Sequence, residues 1–352
     1  MSDVLGNSLK LVIFGESHGP LIGATISGLP SGIKIDHDFI SSQLEKRKAN
    51  DSLSTPRQED DEYKIVSGVF NGYTTGTALT VLIENKKQHS YDYNEVNYRP
   101  GHADYTGSLR YDSFNDHRGG GHFSGRLTAP LVAICSIIIS YLQEQGIKIG
   151  SRIKEIHQVE DDEIIDINEA IDKFNNEIFP TISEDKKELM KQEIERARDS
   201  LDSVGGVVET YVTGIKGGIG NPFFDSLESV IAHSLFSIPG IKGVEFGLGF
   251  KFKDKYGSEV SDSLRCEEGK VTTTSNNNGG INGGISNGMP IVIRSAVKPT
   301  PSISKKQQSI NSKLENIDLE IKGRHDPCIV RRVRVVIDSL VAFSILDSML
   351  SR

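Results

Sequence analysis

The chain has 352 residues, a formal net charge of −8 and 36% hydrophobic residues. This length and apolar content suffice for a substantial core, and the acidic balance argues against nucleic-acid binding. Three cysteines without a CxxC pair suggest neither a disulfide framework nor a zinc site, and predict a reducing, cytoplasmic location. The first residues show no secretory signal, and the longest apolar run, 131–141, is too short to span a bilayer.

The first predicted elements are two strands, 9–14 and 21–26, joined by a tight turn that contains glycine and proline. This turn, GESHGP, presents Ser17 and His18 at its tip. A single histidine in a turn is more often an exposed bystander than a functional group. The Gly-x-Ser-x-Gly pattern at 15–19 is interpreted as chance, because a nucleophile elbow joins a strand to a helix.

A short amphipathic helix is predicted over 38–48, and the polar loop 49–62 that follows it is predicted to be mobile. Strands over 64–70 and 78–84 come next, with an Asn-Gly dipeptide between them that is typical of hairpin turns. Antiparallel pairing so early in the chain argues against a doubly wound parallel sheet.

The stretch from 99 to 126 concentrates donors and titratable groups, with three histidines, four arginines and three consecutive glycines. It has neither helical nor strand periodicity and is interpreted as an ordered loop. Such loops often carry binding and catalytic groups, although a solvated surface loop has the same composition. A helix apolar on nearly all sides follows, from the candidate N-cap Thr128 to Gly146, and is predicted to lie inside the protein.

Two charged helices, 161–175 and 184–201, are predicted to form an excursion over about 160–203 rather than a separate domain. The next predicted elements are a strand, a helix and two strands, at 206–213, 227–236, 242–252 and 290–297. The Gly/Asn-rich stretch 276–288 is either a flexible linker or a place where backbone approaches a ligand, and its position between strands favours the second.

The polar segment 304–321 is predicted to be mobile, and a long apolar-periodic helix is predicted over 330–350. Asp326 and Pro327 suit the N-cap and first position of that helix, which is a purely structural explanation for Asp326. The chain shows no internal repeat, and we predict one domain over 1–352.

No Walker, dinucleotide-binding or metal-ligand motif occurs, so no metal is expected. Arginines cluster in 99–126 and 322–334, and together with Arg47 they suit phosphate or carboxylate ligands. His18 and His102 lie in glycine-flanked turns and are candidate acids near neutral pH. These residues indicate a phosphorylated anionic small substrate and acid catalysis, but they do not specify a reaction.

Six motifs occur in order along the chain: GESHGP, RPGHADYTG, RGGG, GGISNG, KPTPS and GRHDPC. Together they resemble the chorismate synthase family from Phe14 to Asp347. The resemblance implies an α+β fold, a β-α-β sandwich whose helical core lies between two antiparallel sheets, and a homotetramer. It implies a lyase that removes phosphate and a ring proton from 5-enolpyruvylshikimate-3-phosphate by anti 1,4-elimination, giving chorismate for aromatic amino acid biosynthesis. The family requires reduced FMN, although the reaction has no net redox change.

The same resemblance implies residue roles. His18 would assist phosphate departure, and His102 would protonate the reduced flavin. Asp326, helped by Ser17, would take part in proton removal through the flavin, which adds catalysis to its structural role. The anionic groups of substrate and flavin would contact Arg47, Arg99, Arg126 and Arg324. The flavin would contact His122, Phe123, Ser124, Gly283, Lys298, Pro299, Thr300, Pro301, Ser302 and Arg324.

Three departures separate this chain from many family members. His122 and Phe123 replace a basic and a small polar residue, Pro239-Gly240 replaces Asn-Ala, and Ser52 replaces a second arginine. We interpret them as subfamily variation.

Two other functions stay open: an FMN-dependent oxidoreductase that acts on a phosphorylated anion, and a non-catalytic anion-binding module. Net turnover of NAD(P)H would distinguish the oxidoreductase, and the presence of His18, His102 and Asp326 argues against the module. Reduced FMN is expected to come from an external flavin reductase, with NADPH only as the source of reducing equivalents.

Overall fold

The computed structural model describes residues 3–48, 61–86, 97–321 and 325–351. The strands within these ranges are β1 (Val4–Leu5), β2 (Lys10–Gly15), β3 (Leu21–Ser27), β4 (Tyr63–Ser67), β5 (Val69–Phe70), β6 (Tyr73–Thr74), β7 (Leu79–Glu84), β8 (Lys148–Ile156), β9 (Val159–Glu160), β10 (Gly206–Thr213), β11 (Ile241–Phe246), β12 (Leu264–Glu267), β13 (Lys270–Thr273), β14 (Ile281–Asn282), β15 (Ile285–Ser286), β16 (Ile291–Val297), β17 (Gln307–Ile310) and β18 (Asn316–Leu319). The helices are α1 (His37–Arg47), α2 (Asp104–Arg110), α3 (Thr128–Glu144), α4 (Ile167–Asn176), α5 (Glu184–Asp199), α6 (Leu227–Phe236), α7 (Gly257–Val260) and α8 (Val330–Leu350).

Two antiparallel sheets of five strands enclose a layer of helices. Their strand orders are β1-β2-β3-β7-β4 and β11-β16-β10-β8-β9. Helix α3 packs against β3 and β7 of the first sheet, while α8 packs against β8 and β10 of the second. Helices α3 and α8 contact each other, and α1 and α6 pack beside them. The expected α+β sandwich, with a helical core between two antiparallel sheets, is confirmed.

Helix α3 lies in this core because apolar side chains cover nearly its whole circumference. With the turn before it, the segment Gly125–Glu144 is long and apolar enough to cross a membrane, but 83% of its most apolar part is buried inside the protein. The helix is therefore longer than the apolar run 131–141 suggested. The prediction that it lies inside the protein is correct.

Replacing Ile134 with alanine is expected to lower the free energy of unfolding by about 2–5 kcal/mol. Ile134 is fully buried at the middle of α3, so truncation leaves a cavity between the two sheets. Urea denaturation should show a lower midpoint with an unchanged slope. Ile165→Ala is the control, because Ile165 is fully exposed. An equal loss in both variants would contradict the assignment of α3 to the core.

Capping side chains and turn residues explain where several of the predicted helices and hairpins begin or turn. The Asp36 carboxylate caps α1 by accepting from the N–H of Phe39 at 2.9 Å, and the Ser226 hydroxyl caps α6 by accepting from Ser229 at 3.1 Å. Asn71 and Gly72 both have positive φ, as the turn between β5 and β6 requires.

Several local predictions are wrong. The stretch 99–126 is not wholly loop, because it contains α2 and a 3-10 turn at Arg118–Phe123. The segment 304–321 holds the antiparallel hairpin β17–β18. The strand predicted over 242–252 ends at Phe246, and the chain then turns into a 3-10 helix. The loop prediction for 49–62 falls almost entirely outside the described residues.

Strand β8 was missed because its sequence, KIGSRIKEI, mixes charged and apolar residues. Arg152 of this strand is nevertheless fully buried, because its guanidinium pairs with the carboxylates of Asp161 and Glu209. The helices of the predicted excursion, α4 and α5, both pack against β8.

The two predicted N-caps are also wrong. Helix α3 already includes Thr128, whose hydroxyl donates to the Gly125 carbonyl. Helix α8 begins at Val330, beyond Asp326 and Pro327. Asp326 instead accepts from the N–H of Cys328 at 3.4 Å, a contact within the segment that leads into the helix. Its carboxylate is therefore available for other partners.

Candidate active site

A cavity of about 790 Å³ opens beside the N-terminal end of α3. Its walls come from the segment 99–128, from the junction between α6 and β11, and from the residues that follow β16. Apolar side chains of the helical layer, Leu131 and Leu340, form part of the lining. The cavity has the size of a small-molecule site and combines an apolar base with polar loop residues.

Three glycines bring the His18 turn against the cavity. Gly119, Gly120 and Gly121 all have positive φ, and Gly119 and Gly120 line the cavity. A Cβ at Gly119 would overlap the His18 imidazole, and the Gly121 carbonyl accepts from the N–H of Ser17 at 3.1 Å. The RGGG motif therefore packs His18 against Gly119, a residue of the cavity lining, and bonds the buried Ser17 to Gly121, although neither Ser17 nor His18 lines the cavity itself.

His102 lies in the cavity lining, and its Nε2 is 2.6 Å from the Ser302 hydroxyl. Burial, together with the nearby charge of Arg99, lowers the pKa of His102 to about 4. The imidazole is therefore neutral at pH 7 in this ligand-free protein. A bound anion beside it would oppose both effects and raise its pKa.

Arg99 also lines the cavity and is held by Asp104 in a bidentate pair with two contacts of 2.7 Å. The Asp104 carboxylate also accepts from the N–H of Arg99 at 3.0 Å, which ties the RPGHAD motif to the start of α2. Burial raises the pKa of Asp104, but the hydrogen bonds and charge of Arg99 outweigh it and hold that pKa below its usual value.

Arg47 and Arg126 share one buried carboxylate behind the His18 turn. Arg47 Nη2 lies 2.7 Å from Asp61 Oδ2, and Arg126 Nη1 contacts Asp61 Oδ1. Burial raises the pKa of Asp61, but the two guanidinium charges outweigh it and leave that pKa below its usual value. The Asp61 carboxylate therefore lies between the two guanidinium groups.

Asn85 joins this cluster to the turn. Its Oδ1 accepts from Arg126 Nε at 3.3 Å, and its Nδ2 donates to the carbonyls of Glu16 and Gly19 at 3.1 and 2.8 Å. The two arginines and the His18 turn are therefore fixed relative to one another.

Asp326 is buried, and its Oδ2 accepts from Arg332 Nη1 at 2.6 Å. Arg332 Nε also donates to the Arg47 carbonyl at 2.9 Å, at the end of α1. Burial raises the pKa of Asp326, and the charge of Arg332 opposes that shift without cancelling it. Asp326 does not line the cavity itself, but Ile329, three residues further on, does.

Most residues predicted to contact a flavin lie together here. The cavity is lined by His122, Phe123, Ser124, Lys298, Pro299, Thr300 and Pro301. Ser302 contacts His102 instead, and Gly283 lies in the turn between β14 and β15, outside the lining. Arg324 and Ser52 lie outside the described residues.

Two of the departures can be followed in the structure. His122 Nδ1 is 2.8 Å from the Gly15 carbonyl, and its Nε2 is 3.4 Å from a carboxylate oxygen of Asp3. Phe123 packs beside Tyr111, with ring centroids 6.3 Å apart, and both rings line the cavity. Pro239 lines the cavity with its ring, where many family members have an amide.

Sequence reasoning assigned no individual role to four polar residues of this region: Asp61, Asn85, Asp104 and Arg332. Asp104 had a local signal, since it lies within the RPGHAD motif, and Arg332 lies in the arginine cluster 322–334. Asp61 and Asn85 contact Arg126 and the His18 turn, which are distant in sequence, so no local pattern marks them.

The fold is α+β, and a cavity of this size with His102, Arg99 and Lys298 in its lining is typical of an enzyme that acts on an anionic small molecule. A family model described as chorismate synthase matches residues 9–350. The chain is 44% identical to the chorismate synthase of Pyrococcus abyssi over 350 residues, which cover 99% of this chain and 97% of that protein. It is 42% identical to the chorismate synthase of Lachnoclostridium phytofermentans, covering 98% and 94%. A crystal structure of a chorismate synthase superposes with a TM-score of 0.78 at 28% identity, covering 98% of this chain and 92% of that one.

The chain therefore belongs to the chorismate synthase family, a family of carbon–oxygen lyases that act on phosphate.

Proposed function

We propose that the chain converts 5-enolpyruvylshikimate-3-phosphate to chorismate by anti 1,4-elimination, as the chorismate synthase of the shikimate pathway, with reduced FMN bound in the cavity. The observation that supports this proposal is that His102 and the segment after β16 line one cavity, and that His18 packs on Gly119 of the same lining, in a chain of this family. These groups lie far apart in sequence.

The cavity lining fits a planar, phosphorylated group such as FMN. Phe123 and Tyr111 offer aromatic faces, and Lys298 offers a cation. The Thr300 hydroxyl is buried and has no hydrogen-bond partner within the described residues, so a ligand atom can satisfy it. Reduced FMN, when bound, supplies electron density to the substrate ring as the allylic C–O bond breaks and recovers it afterwards.

Phosphate departure needs a proton and a positive environment. We assign the proton to His18, because its ring packs on Gly119 at the cavity wall. The guanidinium groups of Arg47 and Arg126, which flank Asp61, stabilise the negative charge that develops on the leaving group. Arg99 holds a second anionic group within the cavity.

The ring proton must leave to a base. We assign Asp326, helped by Ser17, a part in the removal of that proton through the flavin, as the family's pattern implies. The raised pKa of Asp326 makes it a stronger base than an ordinary carboxylate. His102, oriented by the Ser302 hydroxyl, holds a proton at its ring when an anion is bound beside it. One C–O and one C–H bond break and one C=C bond forms, so electrons balance without an external oxidant.

We also propose a cytoplasmic homotetramer that receives reduced FMN from a separate flavin reductase, with NADPH only as the source of electrons. Several strongly exposed aromatic side chains support association: Phe223, Phe224, Phe250 and Tyr256. Reduction of FMN by NADPH with the purified protein alone, at the rate of turnover, would contradict the separate reductase.

The test is anaerobic incubation of the purified protein with chemically reduced FMN and 5-enolpyruvylshikimate-3-phosphate. Phosphate and chorismate are expected in a one-to-one ratio, and the flavin is expected to end reduced. Absence of phosphate with FMN bound would contradict the proposal. Consumption of one reductant per product would instead indicate an oxidoreductase.

A further inference from the structure

Asn85 directly follows β7, at the end of the first sheet where the His18 turn lies. Strand β7 pairs with β3, and the backbone N–H of Asn85 extends this pairing by donating to the Pro20 carbonyl at 3.1 Å. Every second residue of β7 is buried against the helical layer, and Asn85 has the same parity as these residues. The sheet therefore directs a polar side chain toward the segment before α3, where it contacts Arg126.

The side-chain amide of Asn85 uses both kinds of hydrogen-bonding group. Its Nδ2 donates to the Glu16 carbonyl at 3.1 Å and to the Gly19 carbonyl at 2.8 Å, on either side of His18. Its Oδ1 accepts from Arg126 Nε at 3.3 Å. A guanidinium only donates, so Arg126 fixes the side of the amide that carries the oxygen and thereby directs Nδ2 to the turn.

The His18 turn is held from two directions. On one side the His18 ring packs so closely on Gly119 that a Cβ there would overlap it. On the other side the amide of Asn85 anchors the backbone carbonyls that flank His18. Without this anchor the turn can shift relative to the cavity, and a shift of about 1 Å in a catalytic group can cost a hundredfold in rate.

We propose that Asn85 is a positioning residue that holds His18 in place for proton transfer to the leaving phosphate, with Arg126 fixing the orientation of its amide. The inference rests on the proposed function, in which His18 supplies that proton. Asn85 does not line the cavity, so its effect is exerted through the turn and not through contact with a ligand.

A double-mutant cycle of Asn85→Ala and His18→Ala tests whether Asn85 acts through His18. The single change Asn85→Ala should lower kcat by about 10–10²-fold, with the Kd for FMN unchanged. In the His18→Ala protein the same change should lower kcat by less than about twofold, because the residue that it positions is already absent. Losses that multiply in full would overturn the inference. If Asn85→Ala does not fold, Asn85→Ser, which is too short to reach both carbonyls, takes its place with the same expected results.

Asn85→Asp separates the bonds to the turn from the bond to Arg126. Aspartate has the same size and still accepts from Arg126, but it presents an oxygen to the carbonyls of Glu16 and Gly19. The kcat of this variant should fall at least as far as that of Asn85→Ala. Wild-type turnover would show that only the contact with Arg126 matters and would overturn the positioning of His18.

The matched control is Asn175→Ala, which should leave kcat unchanged. Asn175 is a half-buried residue of α4 outside the cavity lining, and its Nδ2 donates to the Ile149 carbonyl at 2.9 Å.

NMR of histidine-labelled protein gives a measurement that does not depend on turnover. The imidazole signals of His18, assigned with His18→Ala, should move in Asn85→Asp, whereas those of the exposed His233 should not. Unmoved His18 signals would overturn the inference while leaving the proposed function intact. A wild-type protein that releases no phosphate would overturn the proposed function, and the His18 signals would still decide whether Asn85 positions the turn.

Discussion

Replacing His102 with alanine is expected to lower turnover by about 10²–10⁴-fold while FMN affinity remains nearly unchanged. The residue lies in the cavity lining, yet its Nε2 is occupied by the Ser302 hydroxyl. Its loss therefore removes a proton carrier but few of the contacts that a flavin makes. Steady-state turnover with reduced FMN and flavin titration of the same preparation measure the two effects.

The control is His233→Ala, since His233 is an exposed residue of α6. Unchanged turnover in His102→Ala would remove His102 from the mechanism. Parallel loss of turnover and FMN affinity would make it a binding residue. NMR titration of the ligand-free protein should place its pKa at about 4, and a bound anion should move that pKa upward.

Replacing Asp326 with asparagine is expected to lower turnover by a similar factor, about 10²–10⁴-fold, because the amide cannot accept a proton during the removal of the ring proton. The side-chain shape is retained, and an amide oxygen can still accept from Arg332. A stable, folded variant with normal turnover would contradict the assignment of Asp326 as the base.

The variant Arg332→Gln distinguishes the effect of the Arg332 charge on the pKa of Asp326 from its effect on the position of that side chain. Burial raises the pKa of Asp326 and Arg332 opposes that shift, so removing the guanidinium raises the pKa further. In the proposed mechanism Asp326 acts as an ionised base, so the fall in turnover on acidification should begin at a higher pH in Arg332→Gln than in wild type. The turnover of Arg332→Gln relative to wild type should therefore be lower at low pH than at high pH.

The measurement is the pH profile of kcat for wild type, Arg332→Gln and Arg332→Lys, which keeps the charge. Arg265→Gln is the control, because Arg265 is an exposed residue of β12 whose guanidinium donates to the neighbouring Leu264 carbonyl. A fractional loss of turnover that is equal at every pH would indicate that Arg332 acts only by positioning its neighbours, through its hydrogen bond to the Arg47 carbonyl.

The sequence predicted the main strands and helices well where periodicity and turn chemistry agree. The apolar helix after Thr128 and the Asn71-Gly72 hairpin are both present. The sequence did not predict β8, because Arg152 has the pattern of a solvated residue. In the fold, Arg152 is buried and pairs with Asp161 and Glu209. A local pattern cannot distinguish a charge that faces water from one that faces a distant partner.

Within the candidate site, the sequence by itself marked His18, His102 and the RGGG glycines as candidates, because they lie in compact motifs whose spacing is local. Only the tertiary structure decided that Asp61 bridges Arg47 and Arg126 and that Asp326 pairs with Arg332 rather than capping α8. These relations depend on strand register and on contacts between distant segments, which are set when the two sheets close on the helical layer.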